Sequence, residues 1–123
     1  ANGEPTYEGI RDSLNGSGWW QGHEAWLQFC SGGTMGVVYG AGGLWNWKLF
    51  KNEKWPEWAD SNFSWKEALQ LPGANYVGYL GRTLHKFDIV DIEKHPELAG
   101  GKLCLAKPGE LYIVYLPEGG NCE

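Results

Sequence analysis

The sequence predicts an α/β unit followed by the opening of an all-β module. Three observations carry this. Two stretches place apolar residues at helical spacing, a short apolar run bracketed by glycines lies between them, and the chain closes on two β-patterned runs joined by a tight turn. All eight tryptophans fall at or before position 65, so the two parts are built differently. A chain of 123 residues suffices for one small domain and falls short of two ordinary ones.

Asn2-Gly3-Glu4-Pro5-Thr6-Tyr7-Glu8-Gly9 sets two carboxylates around an aromatic ring among chain-bending residues, the pattern of a loop leaving a strand end. From Gln21 to Cys30, the positions of Ala25, Trp26, Phe29 and Cys30 predict an amphipathic helix stopped by Ser31-Gly32-Gly33. Met35-Gly36-Val37-Val38-Tyr39 reads as a short strand buried on both faces, as in parallel sheets. A long Trp-rich loop from Gly40 to Phe63 follows. Ser64-Trp65-Lys66-Glu67 fits a capping box, so a helix starts there. Pro72 suits a first helical position, and Val77, Leu80, Leu84 and Phe87 continue an apolar stripe beyond it. After a charged connector from Asp88 to Gly101, Lys102–Ala106 and Glu110–Leu116 read as a β-hairpin turning at Lys107-Pro108-Gly109.

Composition narrows the function. With 42% hydrophobic and 20% charged residues the chain is globular rather than disordered. A net charge of −5 without a Lys/Arg stripe argues against nucleic acid as a partner. No apolar run approaches the roughly 20 residues needed to span a bilayer, so membrane insertion is not expected, and no leader pattern is visible. Cys30, Cys104 and Cys122 form no C-x-x-C pair, and His23, His85 and His95 lie far apart without an H-E-x-x-H motif, so neither a metal nor a cofactor is expected. A Cys104–Cys122 bridge and free buried thiols both remain open.

The order of motifs resembles one family. Asn2-Gly3-Glu4-Pro5-x-Tyr7-Glu8-Gly9, the helix carrying Ala25-Trp26, Tyr39-Gly40-Ala41-x-Gly43-x-Trp45 and Trp65-x-Glu67-Ala68-Leu69-x-Leu71-Pro72-Gly73-Ala74 are similar, in this order, to the apiosidase-like glycoside hydrolases (glycoside hydrolase family 140 and relatives). The tail, Cys104-Leu105-Ala106-x-Pro108-Gly109-x-x-Tyr112-x-Val114-Tyr115-Leu116-Pro117-x-Gly119-Gly120, resembles the β-sandwich module that follows their barrel, sometimes labelled collagen-binding.

The resemblance implies that residues 1–87 are the C-terminal portion of a (β/α)8 barrel, from the end of strand 7 to helix 8. Helix 7 would fall at 22–31, strand 8 at 35–39 and helix 8 at 65–87. Residues 88–101 would be a linker, and 102–123 the start of the sandwich. A whole barrel takes roughly 250 residues, so the chain is expected to be a fragment lacking strands 1 to 6. The missing initiator Met and the abrupt Asn121-Cys122-Glu123 end agree with that.

Glycoside hydrolysis needs two carboxyl groups across the scissile bond, about 5–5.5 Å apart in retaining enzymes. By the resemblance, Glu4 matches the strand 7 nucleophile, with Glu8 as the alternative. The acid/base partner would lie on strand 4, outside this chain, so the isolated chain is expected to be inactive. Tyr7, Tyr39, Trp45 and Trp47 are the substrate-binding candidates, since flat rings stack on the C–H face of a sugar. Trp45 and Trp47 equally fit as filling beneath the loop, and Trp26 as core. Trp19 and Trp20 could rim the cleft, and His23 could touch substrate or sit exposed at its helix start. The family's Gly-His-Thr-Tyr-Gly run at strand 8 is Gly36-Val37-Val38-Tyr39-Gly40 here, with an apolar group replacing an imidazole, and the Arg often found early in helix 7 has no clear counterpart. The implied partners are an oligo- or polysaccharide of plant or microbial origin and the rest of the parent polypeptide, in a secreted or periplasmic protein. A noncatalytic Trp-rich carbohydrate-binding module is the competing reading; collagen or protein binding by the tail ranks third.

Overall fold

The computed structural model describes residues 3–10 and 17–122. The Asn2 position of the first motif, the Asn15-Gly16 pair preceding Trp19 and the terminal Glu123 lie outside the described residues. The element order is helix α1 (Gly18–Cys30), helix α2 (Trp65–Ala68), helix α3 (Gly73–Leu84), strand β1 (Glu93–Lys94), a 3-10 turn (Pro96–Ala99), strand β2 (Leu103–Lys107) and strand β3 (Leu111–Tyr115). The result is a mixed α and β arrangement, with two packed helices against a small antiparallel sheet.

Helix α1 starts four residues before the predicted 22–31 range. Ser17 caps it by accepting the Trp20 amide at 3.3 Å. Its buried face, Gly18, Gln21, Gly22, Ala25, Phe29 and Cys30, follows the helical period. Two glycines on that face let α3 come close: a Cβ at Gly22 would lie 2.8 Å from the Cβ of Tyr76. The expected 65–87 helix is two helices. Glu67 closes the capping box, its carboxylate accepting the Ser64 amide and hydroxyl at 2.8 Å each. The chain then leaves the helix before Pro72, which lacks an amide to donate and stands one position ahead of α3 as its cap. The carbonyl of Pro72 accepts the Asn75 and Tyr76 amides, and the new helix runs from there.

The hairpin forms close to its predicted bounds, in the register Leu103–Tyr115, Leu105–Ile113 and Lys107–Leu111. The 88–101 stretch contributes β1, which pairs with β2 through Glu93–Ala106 and Lys94–Leu105. Period-two alternation divides the sheet. Leu103, Leu105, Leu111, Ile113 and Tyr115 face the helices and share a core with Ala25, Phe29, Cys30, Leu80 and Ile92. Cys104, Ala106 and Val114 form the other face with Ala99.

The short strand expected at 35–39 is not a buried ladder. Val37 packs on the core, but Met35 is 88% exposed and Val38 is also exposed. A strand buried on both faces needs neighbours along both edges. Here Val37 makes only an isolated bridge, and the parallel bridge to the first segment, between Glu8 and Ala41, comes two residues after the expected strand.

Candidate functional site

The site is built where the chain before α1 meets the chain after it. The Glu8 amide donates to the Gly40 carbonyl at 3.0 Å, and the Gly42 amide donates to the Glu8 carbonyl at 2.7 Å, so the two segments run parallel. Neighbouring side chains on an extended segment point opposite ways, and here they divide the work. Tyr7 lies across Gly40, where a Cβ would collide with its ring, and stacks on Trp45 with centroids 5.6 Å apart. Glu8 turns toward the helices.

The Glu8 side chain is 2% exposed. Its Oε2 accepts the Tyr39 hydroxyl at 2.6 Å and the Gly73 amide, at the start of α3, at 2.8 Å. Gly18 and Gly73 flank the carboxylate, and a Cβ on either would meet its oxygens. A carboxylate at a helix N-terminus is stabilised by the unpaired amides there. Burial, together with the donated hydrogen bond to Glu8, holds the Tyr39 hydroxyl well above the usual phenol range. Glu8 therefore ties together the starts of α1 and α3 and the segment around Tyr39, with little surface left for a substrate. Glu4 is exposed on the segment leading to it.

The Trp-rich loop encloses a lysine rather than a tryptophan. Lys48 is 1% exposed; its ammonium donates to Asp60 Oδ1 at 2.7 Å and to the Ser61 carbonyl at 2.6 Å. The ion pair depresses the Asp60 carboxyl below its ordinary range. Asn46 donates to the Ala59 carbonyl at 3.3 Å and adds a second stitch across the loop. The rings are held outward: Trp45 packs on Trp58 at 6.1 Å and meets Trp55 edge-on at 6.5 Å. Trp58 is 63% exposed and Trp47 60%. The reading of Trp45 and Trp47 as buried filling is thus overturned, because their place inside the loop is taken by Lys48 and Ala59.

Of the sequence-predicted residues, the structure brings Tyr7 to Trp45 and Tyr39 to Glu8. Trp47 joins neither pair. It adopts a φ of +52°, uncommon for a bulky residue, and stacks on Trp65 at 5.2 Å. Trp19, Trp20 and His23 form their own ring cluster on α1, and His23 Nδ1 lies 2.8 Å from the Tyr115 hydroxyl on β3. These contacts tie α1 to the sheet. Sequence reasoning missed Trp55 and Trp58 as members of the Trp45 cluster, Lys48 as its support, and Glu24, whose carboxylate accepts the Thr6 amide at 3.1 Å. Glu24 also accepts the side-chain amide of Gln28, one helical turn on, at 3.5 Å, the one local signal it carried.

The segment thus carries one exposed carboxylate, Glu4, and one buried carboxylate, Glu8, and its Tyr7 stacks on Trp45 of the loop it meets. A family model for the apiosidase-like catalytic domain matches residues 1–91, and the chain belongs to that family, a glycoside hydrolase family with carbohydrate as its substrate class. Comparisons with curated proteins and with solved structures find no significant match. The family match ends two positions before β1 begins at Glu93.

Proposed function

We propose that the chain is the strand 7 to helix 8 part of a (β/α)8 glycoside hydrolase that cleaves plant or microbial polysaccharide with retention, with Glu4 as its nucleophile. The acid/base carboxyl comes from an earlier part of the parent polypeptide, so the chain alone is inactive. Residues 88–101, which also supply β1, link the catalytic part to the β-sandwich module whose first hairpin lies in 102–123, and the parent is secreted or periplasmic.

The observation that carries this reading is the parallel approach of residues 6–9 and 39–42 on either side of α1, within the span matched by the family model. Barrel enzymes build their sites from the loops that follow such strands. The exposure of Glu4 supports it over Glu8, which is buried between the starts of α1 and α3. In the reaction, Glu4 attacks the anomeric carbon while the partner carboxyl protonates the leaving oxygen. Water then releases the glycosyl group from Glu4, with the partner acting as base. Trp45, braced by Tyr7 and backed by Trp58, offers the sugar a stacking face.

The test uses the parent polypeptide and a panel of activated 2-deoxy-2-fluoro glycosides, which slow release of the covalent intermediate. A glycosyl adduct on the peptide carrying Glu4 is expected; turnover with an adduct on another carboxylate contradicts the assignment. Sugar binding without catalysis is the second reading, favoured by the exposed faces of Trp58 and Trp47. A parent that binds oligosaccharides but turns over no glycoside would establish it.

A further inference from the structure

The outer face of the sheet carries one thiol, Cys104, and the exposed tail another, Cys122, and the proposed chemistry uses neither. We propose that Cys104 and Cys122 are a disulfide-forming pair, oxidised by exchange with a small-molecule disulfide, so that the 117–122 segment is tied to β2. Cys104 is buried and Cys122 exposed, and both are free thiols. Alternation along β2 puts Cys104 with Ala99, Ala106 and Val114, on the face turned away from the helices. Cys30, at the end of α1, packs in the core on the helix side of the sheet with Phe29 and Leu105, whereas Cys104 faces the other side.

The tail returns to the thiol from the other direction. Lys102, two positions before Cys104, donates from its ammonium to the Asn121 carbonyl at 2.9 Å. The residue next to Cys122 is thereby fastened at the start of β2. Burial holds the Cys104 thiol above its ordinary range, with Cys122 and Glu97 adding to it. Residues 117–122 belong to no strand, so they can settle into the geometry that a disulfide requires.

The chemistry proceeds in two exchanges. The exposed Cys122 thiolate attacks one sulfur of oxidised glutathione, forming a mixed disulfide and expelling one glutathione thiolate. Opening of the tail admits Cys104, which loses its proton to solvent and attacks the Cys122 sulfur. That step forms the Cys104–Cys122 bond and expels the second glutathione. Two protein thiols are oxidised, and one glutathione disulfide is reduced to two thiols.

The test incubates the chain with oxidised and reduced glutathione, alkylates what remains, and digests with a protease that cleaves after glutamate. Cuts at Glu110 and Glu118 separate the two cysteines. The expected product is a Cys104–Cys122 linked peptide, a mass lower by two hydrogens, and a melting temperature raised by several degrees. Cys122→Ser, a change at an exposed position, should abolish the link and the added stability. Glutathione retained on Cys122 with Cys104 still open to alkylation under denaturing conditions would overturn the proposal, as would a Cys30–Cys104 link.

Discussion

The Tyr39 hydroxyl donates to the buried carboxylate of Glu8 at 2.6 Å, joining segments that α1 separates in sequence. That one contact sets the register of the loop leaving residue 39 against the start of α3, because the same carboxylate oxygen takes the Gly73 amide. A carboxylate expected as an alternate nucleophile thus serves as a bracket for the site around it.

Removing the hydroxyl should weaken that bracket. Tyr39→Phe leaves a buried charged acceptor one donor short, and the expected loss is about 1–3 kcal/mol in urea unfolding. The pH dependence gives a second signature. The folded state holds the phenolic proton more tightly than the unfolded chain, so this stabilisation is fully present below about pH 10 and is lost as pH rises from there toward the folded-state value. The stability difference between wild type and Tyr39→Phe should therefore shrink above about pH 10, as denaturant midpoints at a series of alkaline pH values will show.

Gly73→Ala should be costlier than an ordinary glycine replacement in a helix. The added methyl would meet the Glu8 carboxylate and the Tyr39 ring, both held in place by their mutual hydrogen bond. A helix-interior Gly→Ala change normally gains about 0.5–1 kcal/mol, whereas overpacking here should cost about 1–3 kcal/mol. Gly81→Ala, where a Cβ would meet nothing within 4 Å, is the matched control and should hold or raise the midpoint.

Lys48→Met should loosen the Trp-rich loop while keeping its volume. The Asp60 carboxyl is held below its ordinary range chiefly by the hydrogen bond from Lys48, so the stability it contributes is present above the unfolded Asp value near pH 4 and is lost as pH falls through the folded value. The variant should be less stable at neutral pH and should lose less than wild type on acidification. Equal acid slopes in the two proteins would show that the pair contributes nothing.

Trp58→Ala should leave the fold intact, because the ring is mostly exposed, and should weaken oligosaccharide binding about tenfold in the parent polypeptide. Fluorescence titration gives the affinity, and circular dichroism checks the fold. Undiminished binding would remove Trp58 from the proposed subsite.

What the sequence discloses is chiefly local. The capping box at Ser64–Glu67 and the hairpin turn at Lys107-Pro108-Gly109 are legible because each signal lies within a few residues of its partner. The break before Pro72 is legible for the same reason, although the cap lies one position from where Pro is expected. The start of α1 is less so, because Trp19 and Trp20 blur the amphipathic pattern that would have led back to Ser17. Met35-Gly36-Val37-Val38-Tyr39 has a strand's composition but too few neighbours among the described residues to become one. Nothing local marks Lys48 as buried, since its acceptors arrive from 12 and 13 residues away. The role of Glu8 was hidden similarly: Gly73 lies 65 positions on.

The most direct test of the central claim compares Glu4→Gln and Glu8→Gln in the parent polypeptide, measuring kcat on aryl glycosides alongside the melting temperature. If Glu4 is the nucleophile and Glu8 the bracket, Glu4→Gln should lose a thousandfold or more in kcat, on the order expected for an essential group, with its melting temperature unchanged. Glu8→Gln should lower the melting temperature while keeping far more of the activity. Wild-type turnover in folded Glu4→Gln would contradict the account.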